Sequence, residues 1–267
     1  MGLLGDRSLG FVLENAGRPA NYRALAVAPL RYRHPGDALG RYFLGRGDYP
    51  AQIEVRTPTG VLAPTVYSPH DAITVHEMFC RQDYAAGPDL GAVVDIGSNI
   101  GLSALYFLSR NATSRCYLYE PVPQNVERLR RNLAAYEGRW FLEQVAVANE
   151  AGTLPFTVEP TGRYGGLGLP GAEQIDVEVR HVNDVLAAVL EREPVIDLLK
   201  LDTEGAETST VAAIAPDLLA RIRQVVCEDA EDEIAIPGWR RRFSCLTTTL
   251  TNPSAPAPRA RRSSPGG

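Results

Sequence analysis

The amino-acid sequence predicts an α/β protein built on a doubly wound, mainly parallel sheet. Three observations predict it. From residue 92 onward, apolar strand-like runs alternate with segments of helical periodicity. The runs at 92–96 and 195–201 are apolar with little alternation, as in strands buried on both faces. Acidic residues and glycines gather where those runs end, and ligands of such sheets bind outside the carboxyl ends of the strands. With 267 residues, 45% of them hydrophobic and 22% charged, the chain has enough material for one domain with appendages.

Residues 1–70 read as an N-terminal arm. It is predicted to hold one short helix near 22–30 and a β-hairpin over 53–62, turned at Pro58, Thr59 and Gly60. The main domain is predicted over 71–235. It opens on a helix at 71–79 with Asp71 as N-cap. A strand at 92–96, a helix at 101–109 and a strand at 115–120 come next. The helix at 123–135 carries Val126, Leu129 and Leu133 on one face and charge on the other. Beyond it lie a strand at 140–147 and a β excursion (154–158, 174–182) around a glycine-rich loop, 161–171, in which Arg163 and Tyr164 are candidate lid contacts. A helix at 183–190, a strand at 195–201, a helix at 206–219 and a strand at 222–227 complete the alternation. Right-handed crossovers make such a chain doubly wound. A terminal antiparallel hairpin should then close the sheet, but the last 16 residues lack any strand pattern and only 243–251 could supply a strand. The hairpin is therefore expected to be atypical or incomplete, and residues 236–267 to form a basic, disordered tail.

Composition excludes several classes. No run reaches 18 apolar residues, so no membrane span is expected. The opening residues are too polar for a signal peptide, and Asp6 breaks the myristoylation pattern. Cys80, Cys116, Cys227 and Cys245 lie far apart, which fits free thiols in a cytoplasmic protein better than a disulfide framework or a zinc site. Net charge is −5, yet six Arg and no acid follow Glu233, so residues 1–233 carry −11. A body that acidic repels phosphate backbones, so no nucleic-acid partner is expected.

The strand ends carry the chemistry. The first ends in a G-x-x-x-G turn, Gly97 to Gly101, preceded by Asp95, which can accept from a ligand ammonium. A nicotinamide dehydrogenase would need G-x-G-x-x-G instead. Glu120 closes the second strand, 19 residues past Gly101, where a carboxylate can accept from ribose hydroxyls. In the run Ile196 to Glu207, Lys200 (the only lysine of the chain), Asp202 and Glu204 share one strand parity and can converge. No His or carboxylate spacing specifies a metal, and none is expected.

DIGSNIG (95–101), YEPVPQNVERLRRNL (119–133) and IDLLKLDTEGAE (196–207) together resemble the FkbM family of S-adenosylmethionine-dependent methyltransferases, over about residues 71–230. The resemblance implies a seven-stranded Rossmann-like sheet, S-adenosyl-L-methionine as cofactor, and methyl transfer, usually to a hydroxyl. The acceptor is expected to be a small molecule such as a sugar or a polyketide-type natural product. By position, Asp95, Gly97, Ser98, Asn99 and Gly101 would hold the methionine moiety, Glu120 the ribose, and Val145 and Ala146 would border the adenine. Asp202 would lie near the methyl as first candidate base, with Lys200 and Glu204 beside it. His181, Glu204, Glu207 and Glu228 are alternatives, and His76, Glu77, Phe79 and Tyr84 are candidates for a wall of the acceptor pocket. A catalytically inactive nucleoside-binding or scaffold protein is the rival reading, motivated by the unusual C-terminus.

Overall fold

A computed structural model describes residues 19–158, 165–167, 173–203, 205–228, 234–244 and 247–256. It opens on two helices, α1 (Pro19–Arg31) and α2 (Pro35–Leu44), where the sequence predicts one. The reason is visible in their docking. The fully buried residues of α1 are Ala24 and Ala28, and that of α2 is Ala38, with Val27 and Leu39 packed partly buried beside them, so the deepest contacts are made by small side chains that a hydrophobic pattern underweights. Four short strands come next: β1 (Ala51–Gln52), β2 (Val55–Thr57), β3 (Gly60–Leu62) and β4 (Thr65–Val66). β2 and β3 form the predicted hairpin. Helix α3 (Pro69–His76) is capped by Ser68, not by Asp71. Asp71 sits at N3 of a capping box, accepting from Ser68 N at 3.0 Å and donating its own N–H to Ser68 Oγ at 3.2 Å. A π-helical turn, Glu77–Arg81, continues from it.

The alternating part then runs β5 (Ala92–Ile96), α4 (Leu102–Leu108), β6 (Arg115–Tyr119), α5 (Pro123–Leu133), β7 (Trp140–Glu143), β8 (Ala146–Ala148), β9 (Gly152–Val158), β10 (Gly165–Leu167), β11 (Glu173–His181), α6 (Val182–Arg192), β12 (Leu198–Leu201), α7 (Glu207–Ala213), α8 (Pro216–Leu219), β13 (Gln224–Glu228), β14 (Arg240–Ser244) and β15 (Thr247–Thr251). Seven strands form one sheet in the order β14-β15-β13-β12-β5-β6-β7. The five from β13 to β7 are parallel, and β15 runs antiparallel to both its neighbours. A second sheet has the order β10-β9-β11-β8.

Three expectations are corrected. The predicted strand 140–147 divides, because the chain leaves the main sheet after Glu143 and β8 pairs with β11 instead. The predicted helix 206–219 breaks between Ala213 and Pro216, since a proline disfavours helical geometry in the residue before it. The terminal hairpin is present: β14 and β15 complete the sheet, so residues 240–244 and 247–251 belong to the fold and not to a tail. The hairpin's composition is atypical. Every residue of β14 is exposed, and three consecutive Arg line this edge, a charge pattern that discourages edge-to-edge pairing. Arg163, Tyr164, Cys245 and residues 257–267 lie outside the described residues. Among the described residues, no helix is long and apolar enough to cross a membrane.

Strand parity assigns the faces. Val93, Leu198 and Val226 pack with α4 and α5, whereas Val94, Leu199 and Val225 pack with α6 and α7. Asp95, Lys200, Asp202 and Glu228 therefore all belong to the α4/α5 face, at the carboxyl edge. Leu250 anchors the hairpin in the opposite core layer and is fully buried. Truncating it to Ala is expected to lower the unfolding free energy by about 2–5 kcal/mol, read by urea denaturation. A change within error would mean that the hairpin is not part of the cooperative fold.

Candidate active site

The site begins with a register. Lys200 of β12 lies directly beside Asp95 of β5, and Leu201 beside Cys227 of β13, so the next step up places Asp202 beside Glu228. The ammonium of Lys200 reaches Asp95 Oδ1 and Asp202 Oδ2, each at 3.1 Å, and donates to Gly97 O at 3.0 Å. Asp95 is wholly buried, and its other oxygen accepts from Ser103 Oγ at 2.5 Å. Burial works against the Lys200 ammonium, but Asp202 and Asp95 outweigh it and raise its pKa. Burial likewise raises that of Asp95, against the pull of Lys200 and Ser103. Lys200 is thus a locked cation and not a proton acceptor. Asp202, 27% exposed, is the member of the trio that a ligand can touch.

The glycine turn is fitted against this trio. Gly97 has φ +78°, and a Cβ there would sit 1.9 Å from the backbone oxygen of Asp202. The ends of β5 and β12 touch backbone to backbone, and only glycine permits it. Ser98 staples the turn: its Oγ donates to Asp95 O at 2.7 Å and accepts from Tyr119 N at 3.2 Å. Gly101, at φ +85°, starts α4 with Leu129 and Leu133 close by.

Glu120 is buried at the end of β6. It accepts from Asn99 N at 2.8 Å, Val122 N at 3.0 Å and Asn125 Nδ2 at 3.2 Å. Those three bonds leave roughly one of a carboxylate's four acceptor positions open. Burial pushes its pKa up to about 7 despite the three donors. Val145 and Ala146 are also buried nearby, in the clusters that contain Tyr119 and Val122 respectively. The structure therefore brings Asp95, Gly97, Ser98, Asn99, Glu120, Lys200 and Asp202 into one connected network, whereas Glu204 lies outside the described residues.

Other candidates fall elsewhere. His181 caps α6, its Nδ1 accepting from Asn183 N at 3.1 Å. Glu207 holds the loop after β12 by accepting from Thr203 N at 2.6 Å and Gly205 N at 2.9 Å. His76 stacks on Tyr42, and Phe79 packs edge-on to Tyr106. Tyr84 does reach the site, donating to Glu228 Oε2 at 3.2 Å, with its ring 5.4 Å from the Lys200 ammonium. Sequence reasoning does not single out Ser103 or Asn125. They are ordinary helix residues there, and only the turn above them shows what they hold.

The seven-stranded order with its last strand reversed is that of the Rossmann-like methyltransferases. A profile of the methyltransferase FkbM domain matches residues 95–236, just over half of the chain. The chain belongs to that family of methyltransferases. It is 30% identical over 184 residues to methyltransferase sdnD of Sordaria araneosa, covering 56% of this chain and 70% of that protein. To the 31-O-demethyl-FK506 methyltransferase FkbM of Streptomyces tacrolimicus it is 27% identical, covering 65% and 80%. To the 2-O-methyltransferase NoeI of Sinorhizobium fredii it is 25% identical, covering 64% and 75%.

Two outcomes test this geometry. Lys200→Met leaves the buried Asp95 and the partly exposed Asp202 without their cation and is expected to cost about 3–5 kcal/mol of stability in chemical denaturation. A near-neutral result would mean that the trio does not hold the strands together. The second concerns pH. Asp202 first, then burial, pushes Glu228 up to about 9, and burial pushes Glu120 to about 7, both from an ordinary value of 4.5. The folded protein thus keeps protons that the unfolded chain has lost, so these groups make stability fall as pH rises from about 5 towards 9. Thermal midpoints of Glu228→Gln should fall less over that range than those of the wild type.

Proposed function

We propose that this methyltransferase uses S-adenosyl-L-methionine as donor and methylates a hydroxyl of a small metabolite, a sugar or a polyketide-type natural product. One observation carries the reading: the carboxyl edge of β5 and β12 places two carboxylates on one ammonium, an excess of negative charge, beside a buried carboxylate on the adjacent β6. A cationic, ribose-bearing donor fits that arrangement. The free acceptor position on Glu120 suits a ribose hydroxyl, and the apolar Val145 and Ala146 suit an adenine. Gly97, Ser98, Asn99 and Gly101 shape the turn against which the methionyl part would lie, with Asp95 acting through Lys200. Two relatives carry an oxygen position in their names, which favours a hydroxyl as acceptor.

When bound, the donor supplies a methyl group already activated by its sulfonium. This chain's residues then have to align the acceptor oxygen and remove its proton. Alignment can contribute about 7–11 kcal/mol, and general base help a further factor of about 10²–10⁴. Asp202 is the assigned base, because it is the exposed carboxylate and Lys200 fixes its direction. The completed terminal hairpin removes the feature that motivated an inactive scaffold.

Calorimetric titration with S-adenosylhomocysteine tests the donor. Stoichiometric binding by the wild type, at least tenfold weaker in Glu120→Ala, is expected. Affinity should also drop as pH falls below about 7, because a protonated Glu120 accepts less well. No binding by a folded wild type would overturn the proposal.

A further inference from the structure

The donor site uses neither Glu228 nor Tyr84, although the Tyr84 ring packs in the core cluster beside the sheet. Glu228 ends β13, one strand beyond Asp202 and on the same face of the sheet. Register sets it beside Asp202, so the two carboxyls stand on neighbouring strands at the same edge, and Asp202 is the largest influence holding a proton on Glu228. Tyr84 arrives from the opposite direction, out of the segment that precedes β5, and it is buried. Its hydroxyl donates to Glu228 Oε2 at 3.2 Å, so a phenol holds the carboxyl that register places next to Asp202.

We propose that Asp202 and Glu228 form one proton-sharing carboxyl pair that takes the acceptor hydroxyl's proton, and that Tyr84 is the positioning residue holding Glu228 in that pair. The proposal rests on the function proposed above for its acceptor, but not for its geometry. Two neighbouring carboxyls at one strand edge cannot ionise independently, so the pair loses its protons in two separated steps. The singly protonated pair is a weak base, and loss of the shared proton makes a stronger one. In the transfer, the hydroxyl's O–H bond breaks and its proton goes to the pair. A C–O bond forms to the methyl carbon, the C–S bond breaks, and its electrons stay on sulfur, so charge balances.

Among the described residues, the groups facing Glu228 are Asp202 from the loop after β12, Lys200 from β12, Tyr84 from the segment before β5, and Glu77 from the π turn. Glu77 is itself paired with Arg81, which also binds Asp83. Asp202, burial and Glu77 raise the pKa of Glu228, while Lys200 opposes them. A phenol donating to the carboxylate favours its ionised form, so removing that donor should delay ionisation further.

The test needs no acceptor. The full chain, labelled with ¹³C at the Asp and Glu side-chain carboxyls, is titrated by NMR as wild type, Tyr84→Phe, Asp202→Asn and Glu228→Gln. Two coupled steps are expected in the wild type, with the upper one collapsing in Asp202→Asn and moving to higher pH in Tyr84→Phe. Independent one-step titrations, or a Tyr84→Phe profile superimposable on the wild type, would overturn the pairing. Calorimetry with S-adenosylhomocysteine on the same samples separates the two readings, since Tyr84→Phe should bind as the wild type does. If the wild type shows the pair but binds no S-adenosylhomocysteine, the donor assignment fails and the pairing stands. Once a hydroxyl acceptor is in hand, kcat should rise with pH across the upper step. That limb should vanish in Glu228→Gln and shift upward in Tyr84→Phe at unchanged donor KM, and a wild-type limb in both variants would overturn the catalytic role.

Discussion

The single lysine of this chain is the constraint around which the rest is arranged. Lys200 stands in an otherwise apolar strand, 2% exposed, where an uncompensated ammonium would cost several kcal/mol. It survives there because Asp95 lies beside it in register and Asp202 lies one turn of the pleat further on. The same placement demands glycine at position 97, where Asp202's backbone oxygen already fills the space of a side chain. Removing a partner from such a buried set costs more than the set contributes net. The trio therefore fixes geometry more than it adds stability. It holds two parallel strands at one height and aims one carboxylate outward.

The charge of the site derives from that lock. Two carboxylates share one ammonium, Glu228 keeps its proton to about pH 9, and Glu120 gives up its own only near pH 7. The edge is consequently acidic but not saturated with charge. Its excess is small enough to bury and large enough to favour a cation over an anion. With the proposed donor, a neutral product would be held less strongly than the cation, which favours turnover over product retention.

Much of this is legible in the sequence, and the part that is not has a physical cause. Residues at parallel strand ends announce themselves, because an acid or glycine interrupting an apolar run has few structural uses. Asp95, Gly97, Glu120, Lys200 and Asp202 stand out that way, and parity alone predicts that Lys200 and Asp202 converge. The terminal hairpin escapes because its apolar content is hidden. β15 is written mainly in threonine, whose β-branched body packs well while its hydroxyl reads as polar, and only Leu250 looks like core. β14 carries its arginines at an open edge, where no alternation is required. The N-terminal helices escape because their fully buried residues are alanines, which a hydrophobic pattern underweights.

Those N-terminal helices bear on the chemistry. Ala24 and Ala28 of α1 share a core cluster with Met78, Phe79 and Cys80 of the π turn, and the same cluster contains Tyr84. The π turn inserts a residue into the helical path and re-aims the chain beyond it, a distortion common at functional sites. Tyr84 leaves that turn already directed at Glu228. The family profile begins at residue 95, so it spans the lysine lock and Glu228 but not Tyr84. The sheet thus contributes the carboxyls, while the preceding segment contributes the phenol that orients one of them. If acceptor chemistry varies among chains that share this sheet, the segment before β5 is where a change acts on the proposed base without disturbing the strands that carry it.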